Sequence, residues 1–101
     1  GAMKILCWNC RGLDNPRTVR ALHHWSSKYY PDIVFVSKTM LDNKDVDLLG
    51  LKIGFKNVFP IGRQGHSGGL CLFWKEDIGA QVTNFSSNHI ALTFVVPISP
   101  P

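Results

Sequence analysis

Cys7 and Cys10 are the first residues whose types and spacing invite chemistry, because C-x-x-C is common to zinc ligands and redox pairs. A closed zinc site needs four ligands. The third cysteine, Cys71, stands alone, no second C-x-x-C follows, and His23 and His24 are adjacent rather than spaced as finger ligands are. If residues 5 to 8 form a strand, Cys7 points into the sheet and Cys10 lies in the turn beyond it. The pair then reads as two buried or half-buried thiols of a reducing compartment, implying neither a metal nor a cofactor. His66 shares a loop with Arg63 and Gln64, where a surface role is expected.

The surrounding chain is short and apolar. Its 101 residues suit one small domain or a fragment, and 45% hydrophobic against 18% charged residues argues for a core rather than disorder. The net charge of +4 tolerates an anionic partner such as nucleic acid, but the basic residues are dispersed and form no arginine-rich arm. No apolar run approaches the roughly 18 residues of a membrane span. Gly1-Ala2 before Met3 has the look of a tag-cleavage scar. The expected division is therefore a remnant plus start Met over 1–3, a domain over 4–96 and a Pro-rich tail over 97–101. The first 30 residues hold five basic residues and one acidic one, Asp14. That bias makes a mitochondrial address a minor alternative to the cytoplasm or nucleus, since the segment is poor in serine and broken by Pro16.

Ile5-Leu6-Cys7-Trp8 is a continuous apolar run, as in a strand buried on both faces. Asn15-Pro16 is a helix start, with a capping amide followed by a residue whose φ is already helical. Val19, Leu22, Trp25, Ser26 and Tyr29 recur near a 3.6 period, and Pro31 ends the helix. Ile33 to Val36 is a second buried strand, so strand, helix and strand form a right-handed parallel unit. A short helix around Val46 to Leu51 is expected next. Antiparallel strands then follow at Gly54 to Phe59, stopped by Pro60, and at Gly68 to Trp74, Ala80 to Phe85 and His89 to Val96. Ser86-Ser87-Asn88 turns the last hairpin.

Lys4-Ile5-Leu6-Cys7-Trp8-Asn9-Cys10-Arg11-Gly12-Leu13 resembles the opening of the endonuclease domain of plant LINE-type retrotransposons. These domains belong to the endonuclease/exonuclease/phosphatase superfamily, with deoxyribonuclease I and the apurinic-site endonucleases. The likeness continues in order through Asn15 to Val19, Pro31-Asp32-Ile33, Ser67-Gly68-Gly69-Leu70, Trp74 to Asp77 and Asn88-His89-Ile90. It implies an α/β (α+β) fold amounting to about half of a DNase I-like αββα sandwich. It also implies an ancestral magnesium-dependent phosphodiester hydrolysis. Asn9 matches the asparagine that helps hold metal and phosphate. The second buried strand of active members ends in Ser-Glu-Thr, whose glutamate is the main Mg²⁺ ligand, but here it reads Ser37-Lys38-Thr39. Mg²⁺ is held by anionic oxygens, so an ammonium removes a ligand and places like charge at the site. Nothing after His89 matches the family's later catalytic motifs, and His89 itself belongs to a segment preceding them.

The resemblance therefore implies a degenerate, truncated domain without catalytic residues, metal or cofactor. Its open sheet, with Phe35, Phe73, Trp74, Phe85 and Phe94, is expected to be an interface covered by a second copy or another protein. A weak nucleic-acid site over Asn9, Arg11, Lys38, Arg63 and His66 is the alternative. A working nuclease needs a substitute carboxylate, with Asp14 and Asp42 nearest in sequence.

Overall fold

A computed structural model describes residues 3–63 and 68–94. The order is β1 (Ile5–Asn9), α1 (Pro16–Tyr29), β2 (Ile33–Ser37), α2 (Asn43–Ile53), β3 (Asn57–Ile61), β4 (Leu70–Trp74), β5 (Ala80–Ser86) and β6 (His89–Phe94). Gly1-Ala2, the 97–101 tail and the end of the last expected strand lie outside the described residues. No helix among the described residues is long and apolar enough to cross a membrane.

The start of α1 follows from its first residues. Asn15 is extended and its Oδ1 accepts the Arg17 amide at 2.9 Å, while Pro16 occupies the first turn. Tyr30, left-handed at φ 49°, closes the helix ahead of Pro31. Helix α2 is longer than the sequence suggests, because extended Asp42 begins it and Gly54, at φ 88°, turns the chain out of it. Gly54 thus belongs to a helix cap, and β3 starts later than expected.

One mixed sheet has the order β1-β2-β4-β3, with β1 parallel to β2 and β4 antiparallel to both of its neighbours. Strand β3 is therefore an edge, which is why Pro60 sits within it rather than stopping it. An edge strand spares the missing N–H from any ladder.

Register fixes the faces. Leu6, Val34, Phe73 and Val58 align across the sheet, as do Trp8, Val36, Cys71 and Pro60. This set packs against Leu22 of α1 and Val46 and Leu49 of α2, with Phe55 beneath, and forms the main core. Trp8 meets Trp25 edge-on at 4.7 Å between centroids. Phe73, expected on the open face, is instead fully buried on the helix-covered face, because strand parity turns it toward Val34 and Val58. Burial of each such large side chain is worth about 1.5–3 kcal/mol.

The opposite, inner face carries Ile5, Cys7 and Asn9 of β1, then Ile33 and Phe35, then Leu70, Leu72 and Trp74, then Phe59 and Ile61. The β5–β6 hairpin forms a separate two-stranded sheet and reaches this face through Phe85, edge-on to Phe59 at 5.0 Å. The face is thus partly covered rather than wholly open. Ile33, Leu70 and Leu72 are buried and Phe35 and Trp74 half-buried, whereas Ile5 and Phe85 are each 57% exposed and Phe94 40%.

Candidate functional site at one end of the sheet

Asn9, Ser37, Leu70 and Ile61 form one register row across all four strands. Whatever follows Asn9, Ser37 and Ile61 therefore emerges at the same end. Arg11, Lys38 and Arg63 do so, and all three are exposed, as is Asn9. At about 4.8 Å per strand the row spans about 14 Å.

The backbone there is tightly constrained. The Cys10 amide donates to the Ser37 carbonyl at 3.1 Å and that of Leu13 to Thr39 at 2.7 Å, with Arg11 (φ 57°) and Gly12 (φ 124°) looped out between. On the other side the Thr39 amide donates to Gly69 at 3.3 Å and that of Met40 to Gly68 at 2.7 Å. Lys38 lies between these paired residues, takes no part in either ladder among the described residues and is left-handed at φ 54°. A lysine in that conformation costs on the order of 1 kcal/mol, and the bonds flanking it hold it there. Its side chain is displayed from the end of the sheet.

The Gly-Gly pair explains itself by proximity. A Cβ on Gly68 would stand 3.1 Å from the Lys38 Cα, and one on Gly69 2.8 Å from Thr39 Oγ1. Thr39 is fully buried, and its hydroxyl accepts the Leu41 amide at 3.3 Å. The sequence flagged position 38 by its side chain. It carried no signal that Lys38 and Met40, at φ 58°, are left-handed.

The remaining sequence candidates separate. Cys7 is exposed on the inner face, not buried, while Cys10 is half-buried at the sheet end, its Sγ 3.5 Å from the Ser37 and Lys38 carbonyls. The C-x-x-C residues are thus divided between opposite faces by strand parity. Burial pushes the Cys10 thiol up from its ordinary pKa and does so further for Cys71. His89 is exposed in the hairpin, its Nδ1 bonded to the Ser86 hydroxyl at 2.5 Å. His66 lies outside the described residues. Asp14 folds back over the loop, its Oδ1 2.6 Å from where a Gly12 Cβ would lie, and Asp42 precedes α2 without a side-chain capping bond.

The model of the endonuclease/exonuclease/phosphatase family matches residues 6–100. The chain belongs to that family. Among solved structures it is similar to an AP endonuclease from Archaeoglobus fulgidus, with a TM-score of 0.60, 20% identity, and coverage of 82% of this chain and 32% of that one. It is similar also to the Xenopus laevis APE2 catalytic domain, at 0.55 and 23%, covering 79% and 26%. An AP endonuclease from Leishmania major, LMAP, aligns at 0.56 and 16%, covering 78% and 27%. The chain thus spans between a quarter and a third of these structures and has a partial DNase I-like fold. No curated protein sequence matches it.

Asn9 and Lys38, the positions that match the family's metal site, offer a neutral amide and an ammonium, a poor pair for Mg²⁺, which favours one or two carboxylates. Asp14, folded over the Gly12 loop, and Asp42, ahead of α2 in a pocket with Arg63, are the carboxylates at this end. Among the described residues no three His, Cys, Asp or Glu side chains stand close enough to hold a metal.

Proposed function

We propose that this segment is a non-catalytic interaction module, derived from a plant LINE-type retrotransposon endonuclease, that associates with a second copy of itself. The observation that carries the association is the β1 edge. Lys4 and Cys10 direct their backbone groups toward β2, so by alternation Ile5, Cys7 and Asn9 present theirs outward. The same three side chains are exposed on the inner face. Backbone pairing at this edge offers up to about six hydrogen bonds, each worth about 1 kcal/mol net. Association entropy of roughly 4–15 kcal/mol consumes that gain, so a stable dimer must also bury the apolar face around Ile5, Phe85 and Phe94.

Sedimentation equilibrium of the native chain tests this, with Ile5→Lys and Phe85→Lys expected to shift the population toward monomer. A monodisperse native monomer at micromolar concentration refutes it. The non-catalytic part rests on Lys38 and is tested by plasmid nicking with Mg²⁺ or Mn²⁺. Nicking by the native chain overturns it.

A second reading, nucleic-acid binding without cleavage, is favoured by the convergence of Asn9, Arg11, Lys38 and Arg63 on one sheet end. Three cations on phosphates give a slope of about −2 to −3 in log affinity against log salt. A flat salt dependence excludes it.

A further inference from the structure

Helices α1 and α2 both begin at the sheet end that carries Asn9 and Ser37, so they run parallel over the outer face. Three cavities lie along them. The first, about 180 Å³, shares Val19 and Lys52 with the second, about 610 Å³. The second shares Ser27 and Ile53 with the third, about 230 Å³. Together they form one continuous groove on the layer opposite the inner face.

The groove has two chemistries. Leu13, Val19, Leu49 and Ile53 line it as apolar floor, and Leu48 stands at its wall 51% exposed. Arg20, Lys52, His23 and His24 line its middle. Among the described residues neither Arg20 nor Lys52 has an acidic partner within ion-pair distance. Asp45 at one end is the sole carboxylate among the lining residues, and Lys75 at the other is already held by Asp32 at 3.3 Å. The Ser26 hydroxyl, which lines the far cavity, is buried with no hydrogen-bond partner among the described residues.

We infer that this groove docks an acidic amphipathic segment of a partner protein, its apolar side chains on the Val19–Ile53 floor and its carboxylates on Arg20 and Lys52. The charge rejects a basic segment, which would meet two unpaired cations. The apolar floor argues against nucleic acid, whose backbone has nothing to bury there. The 14 residues of α1 span about 21 Å, long enough to seat about four turns of a bound helix.

The probe is a fluorescein-labelled synthetic peptide of about four helical turns, with leucine on one face and glutamate on the other, titrated by anisotropy against the full chain. Saturable binding in the micromolar range is expected. It should weaken about tenfold in Arg20→Glu with Lys52→Glu, by a smaller factor in the Gln pair at the same positions, and several-fold in Leu48→Ser. These residues are exposed, and circular dichroism verifies that each variant is folded. No saturable binding, equal binding of a lysine-for-glutamate peptide, indifference to the charge reversal, or full competition by single-stranded DNA would each overturn the inference. Binding should persist in Ile5→Lys, which separates this groove from the self-association surface.

Discussion

Replacing Gly69 by alanine tests whether the ends of β2, β3 and β4 are locked together behind Lys38. Two costs can be worked out separately. Gly69 has φ +92°, a conformation that costs an L-residue on the order of 1 kcal/mol. The new Cβ would also stand 2.8 Å from Thr39 Oγ1 and 3.1 Å from the Ile61 carbonyl oxygen. The carbonyl is backbone within the sheet and cannot yield cheaply. Thr39 is fully buried, and moving its hydroxyl breaks the 3.3 Å bond to the Leu41 amide. Leaving that amide unsatisfied costs about 1–3 kcal/mol.

The sum is about 3 kcal/mol, which for a domain of this size lowers Tm by about 12–24 °C. Gly54→Ala is the matched control. Gly54 has φ +88° but nothing within 4 Å of its added Cβ, so only the backbone cost of about 1 kcal/mol applies. Thermal unfolding of both variants by circular dichroism measures the difference. If Gly69→Ala loses no more than Gly54→Ala, the close approach is not what shapes this end of the sheet.

Phe73→Ala should cost about 3–5 kcal/mol in denaturant titrations, whereas Phe85→Ala should cost under about 1 kcal/mol in the monomer, because one is fully buried and the other 57% exposed. Asn15→Ala should cost about 1 kcal/mol through the lost cap to the Arg17 amide. Asp32 accepts the Lys4 amide at 2.9 Å and faces the Lys75 ammonium at 3.3 Å. The Lys4 hydrogen bond, with Lys75 second, holds its carboxyl below the usual carboxylate range. A lowered folded-state pKa stabilises above the ordinary range, and that contribution disappears as pH falls through the lowered value. Asp32→Asn should therefore lower Tm near neutral pH and leave it unchanged at about pH 2; equal losses at both would contradict the assignment.

Local chemistry made α1 and the parallel unit legible. Asn15, Pro16 and Pro31 bound the helix by capping and by fixed φ, whatever lies around them. Face assignment was not legible for Leu70 to Trp74, because a strand covered on both faces has no polar residues to mark its parity. Phe73 and Trp74 alternate sides, and only the pairing of Val34 with Phe73 tells which one meets the helices. Pro60 is ambiguous in the sequence for a related reason, since its effect depends on whether β3 is central or an edge. The candidate site was half legible. Position 38 stood out by chemical type against the family resemblance, but its left-handed backbone arises from bonds that Cys10, Leu13, Thr39 and Met40 make with distant partners.

That backbone makes position 38 unusually clean to probe. The 3.1 Å and 2.7 Å bonds on the β1 side and the 3.3 Å and 2.7 Å bonds on the β4 side belong to its neighbours, not to Lys38. Its side chain is exposed and makes no ion pair among the described residues. Lys38→Glu should therefore leave the unfolding free energy within about 0.5 kcal/mol of the native chain's, the usual range for a surface exchange. It changes the charge at the sheet end by two units beside Arg11 and Arg63. Any change in nicking or in salt-dependent nucleic-acid binding then reports chemistry rather than folding. Nicking gained only in Lys38→Glu identifies that charge as what silences the native chain. A variant that unfolds instead would show that the ammonium, and not the flanking ladders, holds the bulge.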